Sequence, residues 1–275
     1  MKTAAVVVSH DSARVLPRCL ESLAGAAAGG LEVMVVDGGS KDGSPDLVRA
    51  QFPFVRVLEL DGNRGFGAAV NRGATEVPSD ALLLLNPDAW LVRDALDRLT
   101  AALDADPRLG LVAPRLRYPD ARPQFVWAPD RGVAGEALQK VRNRIEARWW
   151  SHRPLERLLR LVGPGWLTVA CALVRRAAFD QVGGFDPGYF LYFEDVDLGL
   201  RLRRAGWRSA VVEGATACHL GGGGESLSEA TMLHYRQSQL RYYRQHRPAW
   251  ETRVLLWRLR RRHRHGPVAE WLARL

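Results

Sequence analysis

The run Ala4-Ala-Val-Val-Val-Ser-His-Asp-Ser-Ala13 decides the fold. Five consecutive apolar residues suit a short strand covered on both faces, because a strand with one wet face alternates apolar with polar. Ser9, His10 and Asp11 then break the run, and residues 13–23 place Val15, Leu16, Cys19, Leu20 and Leu23 on one helical stripe. A buried strand followed by an amphipathic helix begins a βαβ rhythm, which continues to residue 113. Further strands are predicted at residues 32–36, 55–60, 81–85 and 111–113, with helices near residues 45–51, 67–75 and 93–103. The expected class is α/β with a parallel sheet, and each polar cluster falls at a strand's carboxyl end, where open α/β sheets bind ligands.

Beyond residue 113 the rhythm stops. Residues 114–165, with Trp127, Trp149 and Trp150, read as an insertion or helical flap. An apolar run at residues 168–174, an acidic helix and a second apolar run at residues 209–212 follow. The expected organisation is one domain over residues 1–226 and a helical, Arg-rich extension over residues 227–275. The net charge of +9 belongs to that extension: from Arg236 onward there are eleven arginines against Glu251 and Glu270, and the rest is balanced. Cys19, Cys171 and Cys218 form no C-x-x-C pair, so neither a disulfide framework nor a zinc knuckle is indicated, and a cytoplasmic setting is expected. The apolar run at residues 4–8 is too short for a signal-peptide core, and no run approaches the roughly 18 apolar residues of a membrane span.

Four motifs carry chemistry. In Phe190-Leu-Tyr-Phe-Glu-Asp-Val-Asp197, Glu194 and Asp195 stand where a helix begins behind bulky apolar residues. A carboxylate held there suits a general base, and the same residues would also serve as helix caps. Val35-Val-Asp-Gly-Gly-Ser-Lys-Asp-Gly-Ser44 sets Asp37 at a strand terminus, before a loop able to take positive φ at Gly38, Gly39 and Gly43. Asp37 there either accepts hydrogen bonds from a base or ribose or caps the turn. Leu82-Leu-Leu-Leu-Asn-Pro-Asp88 delivers Asp88 on a stiff turn, suiting a hard divalent cation that already holds a diphosphate. His219, between an apolar run and a glycine run, reaches the same edge as a possible co-ligand. The loop Gly62-Asn-Arg-Gly-Phe-Gly67 before a helix suits a sugar or diphosphate received by backbone; a dinucleotide fingerprint is excluded because Val70 holds the third glycine's place.

Taken in order, Val6-Val-Val-Ser-His-Asp-Ser12, the Asp37 loop, Asn63-Arg-Gly-Phe-Gly67, Asn71-Arg-Gly73, Leu85-Asn-Pro-Asp-Ala89, Gly183-Gly-Phe-Asp186, Phe193-Glu-Asp-Val-Asp-Leu198 and His219 resemble the family-2 inverting glycosyltransferases, bacterial rhamnosyltransferases in particular. The resemblance covers about residues 3–225. It implies a single GT-A-like domain with a mixed, mainly parallel sheet, a nucleotide-diphospho-sugar donor and Mg²⁺ or Mn²⁺. It also implies Ser9, His10 and Asp11 around the donor's base and ribose, Asp37 on the base, and Arg64, Gly65, Asn71 and Asn86 on the donor. Asp88 and His219 would hold the metal, and Asp195 would be the base with Glu194 its neighbour. The donor expected is dTDP-rhamnose and the acceptor a glycan or polyprenyl-linked glycan of the cell envelope. Val169 stands where such sequences usually carry glycine.

The segment from Trp250 to His265 mixes arginines with Val254, Leu255, Leu256, Trp257 and Leu259 and reads as an interfacial helix for an anionic membrane surface, or as a helix docked on the domain. No recognition helix or aromatic RNA-binding motif accompanies it, so nucleic acid is not expected as a partner. The remaining alternatives are a non-catalytic nucleotide-sugar-binding protein and a nicotinamide-dependent oxidoreductase.

Overall fold

The computed structural model describes residues 1–137, 165–221 and 228–275. The readings at Trp149, Trp150, the glycines at 222–224 and the boundary at 226 lie outside them. Four parallel strands come first: β1 (Thr3–Ser9), β2 (Glu32–Asp37), β3 (Val55–Glu59) and β4 (Ala81–Leu85). Between them run α1 (Leu16–Glu21), α2 (Ala24–Ala28), α3 (Ser44–Gln51) and α4 (Phe66–Glu76). The helix predicted over residues 13–23 starts late, because the Ser12 carbonyl first closes a turn on the Val15 and Leu16 N–H groups. All five residues of β4 are closed to solvent; its four leucines contribute roughly 1.5–3 kcal/mol each by burial.

The second half departs from the purely parallel rhythm of the first and gives the mixed, mainly parallel sheet that the family resemblance implied. It supplies β5 (Ala89–Leu91), α5 (Ala95–Ala105), β6 (Leu109–Arg117), β7 (Pro123–Gln124), β8 (Trp127–Pro129), β9 (Gly165–Leu167), β10 (Cys171–Arg175), α6 (Arg176–Gln181), α7 (Glu194–Arg204) and β11 (Arg208–His219). The strand order is β3-β2-β1-β4-β10-β6-β11-β5, with β7 added on β6. β10 wedges antiparallel between β4 and β6, so the sheet is mixed. Of residues 168–174 only 171–174 are strand, in β10: β9, just before them, pairs with β8 in a small second sheet, and the chain crosses at residues 168–170 into β10. Nor are residues 114–124 separate from the sheet, since β6 runs on to Arg117 and β7 pairs with it.

Three helices close the chain, α8 (Glu229–His246), α9 (Ala249–Arg262) and α10 (Pro267–Ala273). Leu240, Tyr242, Tyr243, Leu255, Leu259, Val268 and Leu272 pack with Phe193, Val196 and Leu200 of the α7 region in one buried cluster. The extension thus shares a core with the acidic helix. Leu255 and Leu259, read from sequence as part of an interfacial face, are buried there, and the exposed apolar residues of α9 are Trp250 and Trp257. Among the described residues no helix is long and apolar enough to cross a membrane.

Candidate active site

Strand register assembles the site. Ser9 lies opposite Asp37, and Val7 opposite Leu85, so the ends of β1, β2 and β4 open on one edge. Antiparallel pairing of β11 with β5 sets His219 opposite Ala89, directly after Asp88. His219 Nε2 comes 3.4 Å from Asp88 Oδ1. Burial pushes the Asp88 carboxyl up, but the hydrogen bond and charge of His219, with the backbone N–H groups of Asp88 and Gly221, outweigh it and hold the group below its usual value.

Gln124, a residue that sequence reading missed, fixes the other side of that imidazole. Its Nε2 donates to the His219 carbonyl at 2.7 Å, which turns its Oε1 toward His219 Nδ1 at 3.1 Å. That contact is satisfied when Nδ1 carries the proton, leaving Nε2 to face Asp88 with a lone pair, a second proton or a cation between them. Imidazole oriented in this way by an outer hydrogen bond is the arrangement of a metal ligand. The pair fits a divalent ion that draws its remaining ligands from a diphosphate; among the described residues no group of three or more His, Cys, Asp or Glu side chains could hold one alone. Asn86 anchors the turn: its N–H donates to the Ala170 carbonyl and its carbonyl accepts from Ala89 N–H.

The loops after β1 and β2 are laced together. Asp37, closed to solvent, accepts from Ser40 N–H at 2.7 Å and Ser40 Oγ at 2.6 Å. Asp11, at φ 48°, accepts from Lys41 N–H at 2.7 Å and gives its own N–H to Ser40 Oγ at 2.8 Å. Asp37 thus holds Ser40 at this edge through two hydrogen bonds. Gly39 and Gly43 take positive φ as expected and Gly38 does not. His10 is exposed above the loop with Nε2 3.8 Å from Asp11, and Ser9 Oγ is buried without a partner.

Two residues expected at the donor make contacts within the fold. Asn71 uses both ends of its amide on the Phe185 backbone, donating to the carbonyl at 2.8 Å and accepting from the N–H at 2.9 Å, so it clamps α4 to the loop before α7. At Gly65, φ 87°, an added Cβ would fall 2.2 Å from the Phe190 carbonyl oxygen, so the glycine is needed because the Phe190 backbone crosses there. Arg64 beside it is exposed and makes no hydrogen bond or ion pair to a described residue.

The segment entering α7 carries strain. Tyr192 and Phe193, neither a glycine, hold φ 64° and 68°, a left-handed conformation costing roughly 1–2 kcal/mol per residue. It persists because Phe193 is locked in the core against Tyr235 and Tyr242, with ring centres 5.4 and 5.7 Å away. Strained backbone held by its surroundings favours a functional site. Glu194 is buried, with Oε2 lacking any hydrogen-bond partner; burial first, then the neighbouring Asp195 charge, pushes its carboxyl up. Asp195 is partly exposed, and burial around it raises its carboxyl too, against the opposing pull of the Val196 N–H, the Arg131 charge and the Val169 N–H. The bland capping role survives only in part: Asp195 Oδ1 accepts from Val196 N–H at 2.8 Å, while the residue preceding the helix offers no side-chain cap. Val169 and Ala170 are adjacent, so one short segment ties Asp195 to the Asn86–Asp88 turn. A surface cleft of about 790 Å³ lies elsewhere, around Met1, Asp94 and Asp104, and is lined by none of these residues.

With this geometry in place, residues 4–183 match the model of Glycosyl transferase family 2. The chain belongs to that family. The glycosyltransferase is 36% identical over 233 residues to an N-acetylglucosaminyl-diphospho-decaprenol L-rhamnosyltransferase of Mycobacterium tuberculosis, covering 78% of this chain and 74% of that one. It is 29% identical over 184 residues to the O-antigen biosynthesis protein RfbC of Myxococcus xanthus, covering 64% and 14%. Its GT-A-like fold is that of a mannosyltransferase of Pyrobaculum calidifontis solved with GDP-Man and Mn²⁺ (TM-score 0.59, 17% identity, 99% of this chain and 78% of that one). S. aureus TarS in complex with UDP-GlcNAc is similar too (TM-score 0.59, 17% identity, 93% and 66%).

Proposed function

We propose that the transferase moves rhamnose from dTDP-rhamnose, with inversion, to a hydroxyl of a polyprenyl-linked glycan in cell-envelope polysaccharide synthesis. The observation that carries the chemistry is the carboxylate pair entering α7: Asp195 is reachable, basic for a carboxylate, and tied by residues 168–170 to the Asp88 turn. The donor assignment rests on the similarity to the mycobacterial rhamnosyltransferase. Asp195 takes the proton of the acceptor hydroxyl as its oxygen bonds to the anomeric carbon. The bond from that carbon to the diphosphate oxygen breaks on the opposite face, and the nucleoside diphosphate leaves. Burial keeps Asp195 a stronger base than an ordinary carboxylate. Asp88 and His219 would hold Mg²⁺ or Mn²⁺, whose charge offsets that gathering on the leaving diphosphate.

Calorimetric titration with dTDP-rhamnose, UDP-galactose, GDP-mannose and NAD, each with and without Mn²⁺, tests the reading. The expected result is cation-dependent binding, tightest for dTDP-rhamnose. Cation-independent NAD binding would favour an oxidoreductase instead, and donor binding without transfer to any acceptor would favour a binding protein.

An anionic membrane surface is the second partner proposed. Trp250, Arg253, Trp257, Arg260, Arg261 and Arg264 share the exposed side of α9 and its end, opposite buried Glu251, Leu255 and Leu259. Each basic residue near such a surface contributes about 1 kcal/mol. The enzyme would then work on the cytoplasmic face of the membrane. Replacing Trp250 and Trp257 by serine and Arg253, Arg260 and Arg261 by glutamine should abolish sedimentation with anionic vesicles; unchanged sedimentation would remove the lipid role.

A further inference from the structure

We propose that Arg131, Arg236 and His263, with Arg262 at their edge, bind the diphosphate of a lipid-linked acceptor beside the entrance to α7. This rests on the glycosyltransfer reading above and adds the group that recognises the acceptor's anionic part. The cluster adjoins the reacting centre through one aromatic layer. The Arg131 guanidinium carbon lies 5.1 Å from the Phe193 ring centre and 5.5 Å from that of Trp166. On α8 the Tyr235 ring packs 5.4 Å from both Phe193 and Tyr192, and the Arg236 guanidinium carbon lies 5.0 Å from Tyr235. Phe193 immediately precedes Glu194 and Asp195, and the Arg131 charge acts on Asp195 directly.

The cations in this layer lack what buried cations need. Arg131 Nε, Arg236 Nε and His263 Nε2 are each buried without a hydrogen-bond partner. Arg236 gives one N–H to Gln239 Oε1 at 2.8 Å. The carboxylates nearby are engaged elsewhere: Asp130 by Arg203, Glu251 by Arg247 and the Val133 N–H, and Glu136 by Gln239. Like charges crowd instead, since burial and then Arg236 and Arg262 hold the His263 imidazole below its usual value. Helix-dipole complementarity accounts for cations at the end of α9, but not for donors buried there without acceptors. Guanidinium groups on an aromatic wall with unused N–H donors suit phosphate, and two of them from separate elements suit a diphosphate. His263 directly follows α9, whose exposed side bears Trp257 and Arg260, so a prenyl chain leaving the cluster would meet the proposed membrane face.

Kinetics on the full chain with two acceptors provide the test: N-acetylglucosaminyl-diphospho-farnesol, and octyl N-acetylglucosaminide, which lacks phosphate. Arg236→Gln and His263→Gln should each raise KM for the diphosphate acceptor by about tenfold, the loss of one charge-assisted hydrogen bond. KM for the octyl glycoside and for the donor should stay within about twofold on the same scale. Equal losses with both acceptors, or no change with either, would overturn the proposal. Wild-type enzyme that transfers to neither would remove the glycosyltransfer reading first and this one with it. Farnesyl diphosphate titrated calorimetrically in EDTA, where no cation supports the donor site, gives a second readout. Binding weakened by Arg236→Gln and unaffected by excess dTDP supports the site, whereas competition by dTDP or equal binding to the variant sinks it.

Discussion

The loops after β1 and β2 and the entrance to α7 both gather carboxylates at the edge of one sheet, yet they are built oppositely. In the first, Asp11, Asp37 and Asp42 each meet backbone N–H groups or serine hydroxyls. Burial pushes the Asp42 carboxyl up, but the bonds from Ser44 and Ala13 together outweigh it and hold the group below its usual value. In the second, Glu194 is buried with an unpartnered oxygen, both carboxyls are raised, and two residues before them sit in left-handed backbone. A satisfied network makes a rigid platform for a ligand. An unsatisfied, strained pair suits the reactive role proposed for it, in which stability is sacrificed for chemistry.

The sharpest way to break that contrast is Asp195→Asn. Transfer should fall by roughly 10²–10⁴-fold while cation-dependent donor binding is retained, as quenched turnover and calorimetry would report. Near-normal turnover would return Asp195 to the class of helix caps. In the wild type, transfer at saturating substrate should rise with pH through a midpoint well above the ordinary carboxylate range, because the raised group must lose its proton before it can accept one. A midpoint near pH 4 would show that burial does not tune the base.

A smaller effect is expected at the metal pair. Gln124→Leu should weaken Mn²⁺-dependent donor binding by about tenfold or more and leave cation-independent nucleotide binding alone, since it removes only the group orienting His219. Unchanged Mn²⁺ affinity would mean the imidazole needs no such support.

Smallest is the stability test that sets the two regions against each other. Raised carboxyls favour the fold at low pH and lose that contribution as pH rises through their folded values; depressed carboxyls do the reverse. Glu194→Gln should therefore stabilise the protein by about 1–3 kcal/mol at pH 9 and much less at pH 5. Asp37→Ala should destabilise by a similar amount, about 1–3 kcal/mol, by orphaning Ser40. Thermal denaturation of both variants at both pH values reads the pair out, and matching signs for the two would erase the distinction.

Much of the fold was legible in the chain because local patterns and the sheet agreed. β4 is predicted residue for residue, since a run of leucines between turns has little else to form. Asp88 and His219 were each visible as chemistry-bearing residues, and the register of β5 with β11 brings them together. Gln124 carried no signal: a two-residue strand after a proline turn acquires meaning only from what β11 places beside it. Asn71 and Gly65 stood in a motif with a ligand-binding look, and their packing against Phe185 and Phe190 was visible only in the tertiary structure.

The sequence by itself determined the βαβ rhythm, the strand ends that carry polar residues and the acidic start of α7, because these depend on periodicity and turn chemistry within a few residues. Only the tertiary structure decided that β10 runs antiparallel through the middle of the sheet, that α8–α10 share the core of α7, and which polar atoms are left unpaired. Those outcomes depend on which distant surfaces bury one another, and hydrophobic burial has no preferred sequence separation.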